Sequence, residues 1–120
     1  MIEWKRSCRL ETKNETRLRG MLGFAMRAGK LQIGTDTVLA SLSRKGGTDI
    51  KLVVMPSGVS EGTKDKIVRR CSAHDVRCIE IDIDSAELGR LLGKLYAPSA
   101  VAVTDNGFAV EILRSAGDEE

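Results

Sequence analysis

Aromatic side chains are scarce in this sequence: Trp4, Phe24, Tyr96 and Phe108 are the whole complement, 3% of 120 residues. That excludes the row of stacking platforms on which single-stranded nucleic acids are bound irrespective of sequence. There is one histidine, His74, and nothing in the sequence identifies a partner to orient it, so nucleophilic catalysis lacks its general base. The three cysteines, Cys8, Cys71 and Cys78, do not make a disulfide framework, and an odd count fits a reducing compartment. Long apolar runs are missing as well. None approaches the roughly 20 residues that cross a bilayer, and Met1 to Arg6 lack the apolar block of a signal peptide. A cytoplasmic protein with no membrane segment is expected.

What is present is charge, unevenly placed. The formal net charge is only +2, yet residues 1–51 hold 11 Lys/Arg against 5 Asp/Glu, and residues 52–120 hold 8 against 12. A basic half inside a nearly neutral chain points to a local polyanion-binding face rather than general stickiness. Lys5, Arg6, Arg9, Lys13, Arg17 and Arg19 also read simply as a solvated face that adds non-specific affinity. At 120 residues, 42% hydrophobic and 30% charged, the chain is one globular domain with one core.

Periodicity divides the chain cleanly. Residues 1–13 have no period and many charges, which reads as a flexible basic arm; residues 14–116 form the domain, and residues 117–120 an acidic tail. Thr12 with Glu15 makes a capping box, with Asn14 as a second candidate cap. Leu18, Met21, Leu22 and Ala25 recur at helical spacing, and Gly29 suits a left-handed stop. A short strand over Lys30–Ile33 precedes a second helix led by Gly34, with Val38, Leu39 and Leu42 inward and Gly46-Gly47 ending it. Ile50–Met55 is a β-branched run of the kind buried on both faces of a sheet, and Pro56-Ser57-Gly58 turns the chain. Ser60 caps a third helix with Ile67, Val68 and Cys71 inward. Cys78–Ile81 is a third strand, and Ser85 caps a helix with Leu88, Leu91 and Leu92. Ala100–Val103 is the last long strand, and Asp105 caps a closing helix with Phe108, Ile112 and Leu113. Helices alternate with strands throughout, which argues for a three-layer α/β/α sandwich around a mixed four-stranded sheet.

Two loops carry the candidate chemistry. Gly34-Thr35-Asp36-Thr37 opens the second helix, where free backbone N–H groups and the positive end of the dipole suit an anionic ligand. The same residues also serve as an ordinary helix start. Lys30 and Arg27, read as lying near the same end, favour RNA, since phosphate contacts fix position. The second loop, Leu88-Gly89-Arg90-Leu91-Leu92-Gly93-Lys94, leads into the last strand. It is not a nucleotide-phosphate loop: three residues separate Gly89 from Gly93, and Leu95 rather than Ser or Thr follows Lys94. Gly93 doubles as a plausible helix stop and Gly89 as a place of close packing. Cys71, His74 and Cys78 are not spaced as the paired ligands of a structural zinc site, and the fourth ligand would have to come from Cys8. No metal, cofactor or catalytic residue is expected. If the two loops share one end of the sheet, they form an RNA-binding edge, with Tyr96 placed to stack on one base.

The run Leu22-Gly23-Phe24-Ala25-Met26-Arg27-Ala28-Gly29-Lys30-Leu31, followed by Gly34 and Val38, is similar to one known family. So are Leu52-Val53-Val54, Thr63-Lys64, the Leu88–Lys94 loop and Val101-Ala102-Val103-Thr104-Asp105-Asn106-Gly107-Phe108-Ala109. Together, over about Leu18 to Leu113, they resemble the bacterial YlxQ-like branch of the kink-turn-binding ribosomal proteins, whose archaeal archetype is L-seven-Ae. The resemblance implies a non-catalytic RNA-binding sandwich of the L-thirty-e type, acting on ribosomal or regulatory RNA, associated with the ribosome and monomeric. It further implies that Gly34, Thr35, Asp36 and Thr37 enter the widened groove of a kink-turn and read its sheared G·A pairs. The stretch Gly93 to Ser99, with Lys94, Leu95, Tyr96 and Pro98, would then pack on the protruding bases. The archaeal pattern Gly-x-Asn-Glu-x-x-Lys appears here as Gly34-Thr35-Asp36-Thr37-Val38-Leu39-Ala40. An acceptor-only carboxylate thus replaces an amide that both donates and accepts. A protein-interaction module on the same fold, without kink-turn specificity, is the competing expectation.

Overall fold

The computed structural model describes residues 15–43 and 50–115. The expected arm, the acidic tail, the caps at Thr12 and Asn14, and the Gly46-Gly47 stop lie outside the described residues. Five helices and four strands alternate: α1 (Glu15–Arg27), β1 (Leu31–Ile33), α2 (Thr35–Leu42), β2 (Leu52–Ser57), α3 (Glu61–Ala73), β3 (Arg77–Asp84), α4 (Ser85–Leu91), β4 (Val101–Val103) and α5 (Asn106–Ser115). The sheet order is β1-β4-β2-β3. β4 runs antiparallel to both its neighbours, while β2 and β3 are parallel. The mixed sheet of the expected sandwich is therefore present.

Strand alternation sorts the core into two layers. Leu52, Val54, Ile79, Ile81, Val101 and Val103 face one side, where Leu18 and Leu22 of α1, Leu88 of α4 and Ile112 of α5 cover them. Val53, Met55, Cys78 and Ala102 face the other, under Val38 and Leu42 of α2 and Ile67, Val68 and Cys71 of α3. Side chains one apart along a strand point to opposite faces, so a continuous apolar run such as Leu52–Met55 is what a sheet covered on both sides requires. On the α2 side, β4 and the residue before it contribute only Ala100 and Ala102, both buried. Their small side chains let the short α2 settle close to the sheet.

Several boundaries differ from the sequence reading, each for a local reason. The turn expected at Pro56 comes later: β2 continues to Ser57 and Gly58 turns the chain with φ 84. Pro56 is tolerated because the β2–β3 register shifts between Met55 and Ser57, and β4 pairs only as far as Val54. β3 is longer than Cys78–Ile81, and its last residue, Asp84, caps α4 in place of Ser85, its carboxylate accepting from the Glu87 N–H at 2.8 Å. The last strand is short, three residues rather than a long one. Ser60 and Asp105 cap α3 and α5 as expected, accepting from Thr63 N–H at 3.4 Å and Phe108 N–H at 3.0 Å.

Three helices end in the same doubly bonded turn, with the chain entering the left-handed region two residues past the last helical one. At Gly29 and Gly93 that residue is glycine; at the end of α3 it is Asp75, with φ 59. Val76 N–H reaches back to Cys71 O at 2.9 Å and Asp75 N–H to Ser72 O at 3.2 Å. A side chain in this region costs about 1–2 kcal/mol, partly offset by the greater unfolded-state freedom of glycine. Asp75→Gly is therefore expected to stabilise the protein by about 0.5–1 kcal/mol, visible as a higher urea midpoint with an unchanged slope. A lower midpoint would mean the Asp75 side chain supports this turn in some other way.

Candidate nucleic-acid interface

The start of α2 is built unlike those of α3, α4 and α5. Gly34 precedes the helix at φ 112 and ψ 140, and no side chain caps the first turn, although its carbonyl accepts the Val38 N–H at 3.0 Å. The starts of α3, α4 and α5 are all capped by a side-chain oxygen. The backbone at Gly34 demands glycine, because a side chain at that φ is strained. The first-turn N–H groups of α2, with Thr35 half-buried and Asp36 and Thr37 exposed, are thus turned outward with the positive end of the dipole.

What holds α2 in place was invisible in its own residues. Ser41 donates its hydroxyl to the Gln32 side-chain oxygen at 2.6 Å, tying the helix to the edge strand β1. At the other end, the Arg70 guanidinium from α3 donates to Ser43 Oγ and to Leu39 O, the latter at 3.5 Å. A cation at the carboxyl end also suits the helix dipole. Neither Gln32 nor Arg70 stands out in sequence, since each is a single polar residue whose partner lies on another element.

The second loop meets the first through the backbone. Gly34 N–H donates to Ala100 O at 2.9 Å, and Ile33 pairs with Val101. The segment that runs from α4 into β4 therefore ends against the start of α2. Gly93, at φ 74, closes α4, with Lys94 N–H bonded to Gly89 O at 2.8 Å. Beyond it Leu95 is fully exposed at 105% and Tyr96 is 53% exposed. Phe24 of α1 and Val110 of α5 are also exposed, but singly, whereas Leu95 and Tyr96 stand side by side on one loop. Lys94, Leu95, Tyr96 and Ala97, with Ala86 and Arg90 of α4, line a shallow groove.

Two sequence-based placements need correction. Pro98, expected as an apolar contact for RNA, is buried: its Cδ lies 3.3 Å from where a Cβ on Gly89 would stand. It packs the loop onto α4 instead of facing outward. Lys30, expected beside the α2 start, sits at the opposite end of β1. Its carbonyl accepts from Thr104 N–H at 2.9 Å, at the far end of β4 from Ala100. Three residues of extended chain lie between it and Gly34, four steps or roughly 13 Å. The structure joins Gly34 to the end of the loop through Ala100, and leaves Lys30 apart.

Beside the groove is a charged cluster that sequence reading passed over. Glu87 on α4 accepts from Arg19 of α1 at 2.8 Å with one oxygen and from Arg90 at 2.6 Å with the other. The hydrogen bond from Arg90, then that from Arg19, holds the Glu87 carboxyl below its ordinary value of 4.5, and Glu87 in turn raises Arg90. A carboxyl lowered by folding stabilises the protein above its unfolded value and loses that contribution as pH falls through the lowered one. The cluster thus stays intact across the neutral range and opens only in acid.

Cys71 and Cys78 are buried, reduced, and part of one apolar layer. Among the described residues no three His, Cys, Asp or Glu side chains gather as a metal site, and no helix is long and apolar enough to cross a membrane.

An α/β/α sandwich around this mixed sheet is the architecture of a known class. The model of the ribosomal protein L7Ae/L30e/S12e/Gadd45 family matches residues 16–113, and the chain belongs to that family. Among its relatives, RNA-binding protein YlxQ of Enterococcus faecium is 34% identical over 97 residues, spanning 80% of this chain and 87% of that one. A Bacillus halodurans protein of unknown function superposes with a TM-score of 0.74 at 25% identity, over 86% of this chain and 98% of the other. The 15.5kD RNA binding protein of Giardia lamblia shares the fold, with a TM-score of 0.63 at 13% identity, over 86% of this chain and 84% of its own.

Proposed function

We propose that this protein binds folded RNA, a kink-turn or a similarly bent helix in ribosomal or regulatory RNA, as a cytoplasmic, non-catalytic, ribosome-associated monomer. One observation carries the reading: the uncapped start of α2 is hydrogen-bonded, through Gly34 and Ala100, to the strand that ends the loop bearing Leu95 and Tyr96. Free N–H groups take phosphate or base-edge acceptors, and the loop side chains cover bases that leave the stack. Family membership and the RNA-binding relative from Enterococcus faecium support the same reading.

In this reading Lys94 contributes position rather than sequence choice. Lys94→Ala is expected to weaken binding to every RNA by a similar factor and to reduce the salt slope by about one unit. Gel shifts of kink-turn, plain duplex and single-stranded RNA over a salt series check both points. Equal affinity for all three at moderate salt ends the folded-RNA reading.

A protein-interaction module is the second reading. Asp36, exposed in the first turn of α2, repels phosphates, and a fully exposed Leu95 suits a protein surface as well as a base. Ribosome co-sedimentation that survives nuclease treatment but is lost in Leu95→Ala favours this second reading over the first.

A further inference from the structure

The groove beside Tyr96 is flanked by Arg90, and Arg90 is not left to itself. Its guanidinium is tied to Glu87 one turn back on α4, and Glu87 is simultaneously tied to Arg19 on α1. Each carboxylate oxygen serves a different arginine, so the pair of bonds fixes the rotamer of Glu87 as well as those of its partners. An isolated surface ion pair holds its partners loosely, because two long side chains keep most of their rotamer freedom. A carboxylate shared between two helices, and about two thirds covered itself, restrains more. The α4 backbone adds to this: Asp84 caps the Glu87 N–H, which fixes the turn from which the carboxylate projects.

The geometry points to Glu87 as a positioning residue for RNA: we infer that it clamps Arg90 against α4 so that its guanidinium faces a phosphate of the RNA whose base lies on Tyr96. The inference rests on the folded-RNA reading above. It also makes a prediction opposite in sign to simple charge counting. Removing a carboxylate from a face that meets RNA raises affinity for all RNAs if only net charge matters. If the clamp matters, the same change frees Arg90, and the cost falls on the RNA that needs it in one place. Preorganised donors bind better than mobile ones because ordering is not charged to the complex.

The test compares the wild-type protein with Glu87→Gln, which keeps the shape and removes the charge. A kink-turn RNA and a plain duplex of equal length are titrated with each, alongside thermal denaturation. The expected result is a fall of about three- to tenfold in kink-turn affinity, duplex affinity unchanged or higher, and a melting temperature within a few degrees of wild type. Glu87→Asp, too short to reach both arginines, should lie close to Glu87→Gln. Tighter binding of both RNAs by Glu87→Gln, with preference preserved, overturns the clamp and leaves the folded-RNA reading standing. Absence of any kink-turn preference in the wild-type protein removes both.

Discussion

Gly89→Ala is expected to destabilise this protein by about 1–3 kcal/mol and to weaken folded-RNA binding by tenfold or more. The sign is the informative part, because in an exposed helix alanine is better than glycine by about 1 kcal/mol. Here a Cβ would stand 2.2 Å from the Tyr96 carbonyl oxygen and 3.3 Å from Pro98 Cδ. Favourable contacts between heavy atoms lie near 3.5 Å or beyond. Backbone cannot swing aside as a side chain does, so the loop itself must lift. Lifting it shifts Tyr96 and Leu95 relative to the rest of the proposed site, and its two parts lose register. Urea denaturation gives the stability change, and gel shift below the melting temperature gives the binding change. A Gly89→Ala protein as stable and as tight as wild type would show that this close approach is not needed.

Lys64→Met is expected to cost about 2–4 kcal/mol, far more than an ordinary surface lysine. Lys64 lies 3.3 Å from Glu80, which is 4% exposed on β3, and 3.6 Å from Glu61, which is open to solvent. Losing the lysine leaves a carboxylate in the apolar layer beneath α3 with one cation fewer. The pair with Glu61 by itself would be worth little. Glu80→Gln in the Lys64→Met background should recover most of the loss, because the charge is then gone from the interior. Thermal melts of the two proteins separate the cases; equal melting temperatures for wild type and Lys64→Met would show that Glu80 is held by its other neighbours.

The layers and the element order were legible because two short periodicities carry them. Leu18, Leu22 and Ala25 mark a helix face, and Leu52–Met55 marks a strand covered on both sides. All seven proved buried. The family resemblance was likewise legible, in the order of Gly29-Lys30, Gly34 and the Leu88–Lys94 loop. Misreadings arose where one residue type has two roles. Pro56 reads as a turn, yet a strand edge with a broken register accommodates it. Ser85 and Asp84 are both good caps, and only the backbone shows which one stands outside the helix. Lys30 seemed close to Gly34 because four positions are few; along a strand they run the whole length of β1. The contacts that set the site, Ser41 with Gln32, Arg70 with α2, and Glu87 with two arginines, join residues whose pairing no period announces.

The bond from Gly34 to Ala100 closes a span of 66 positions with one backbone contact. Until β4 has inserted between β1 and β2, the start of α2 has no loop to work with, and a nascent chain lacking that strand cannot present both halves. Whatever recognises the joined surface therefore recognises only the finished fold, and by mass action holds it there. A saturating ligand should slow proteolysis of the whole domain, including segments of α3 it never touches.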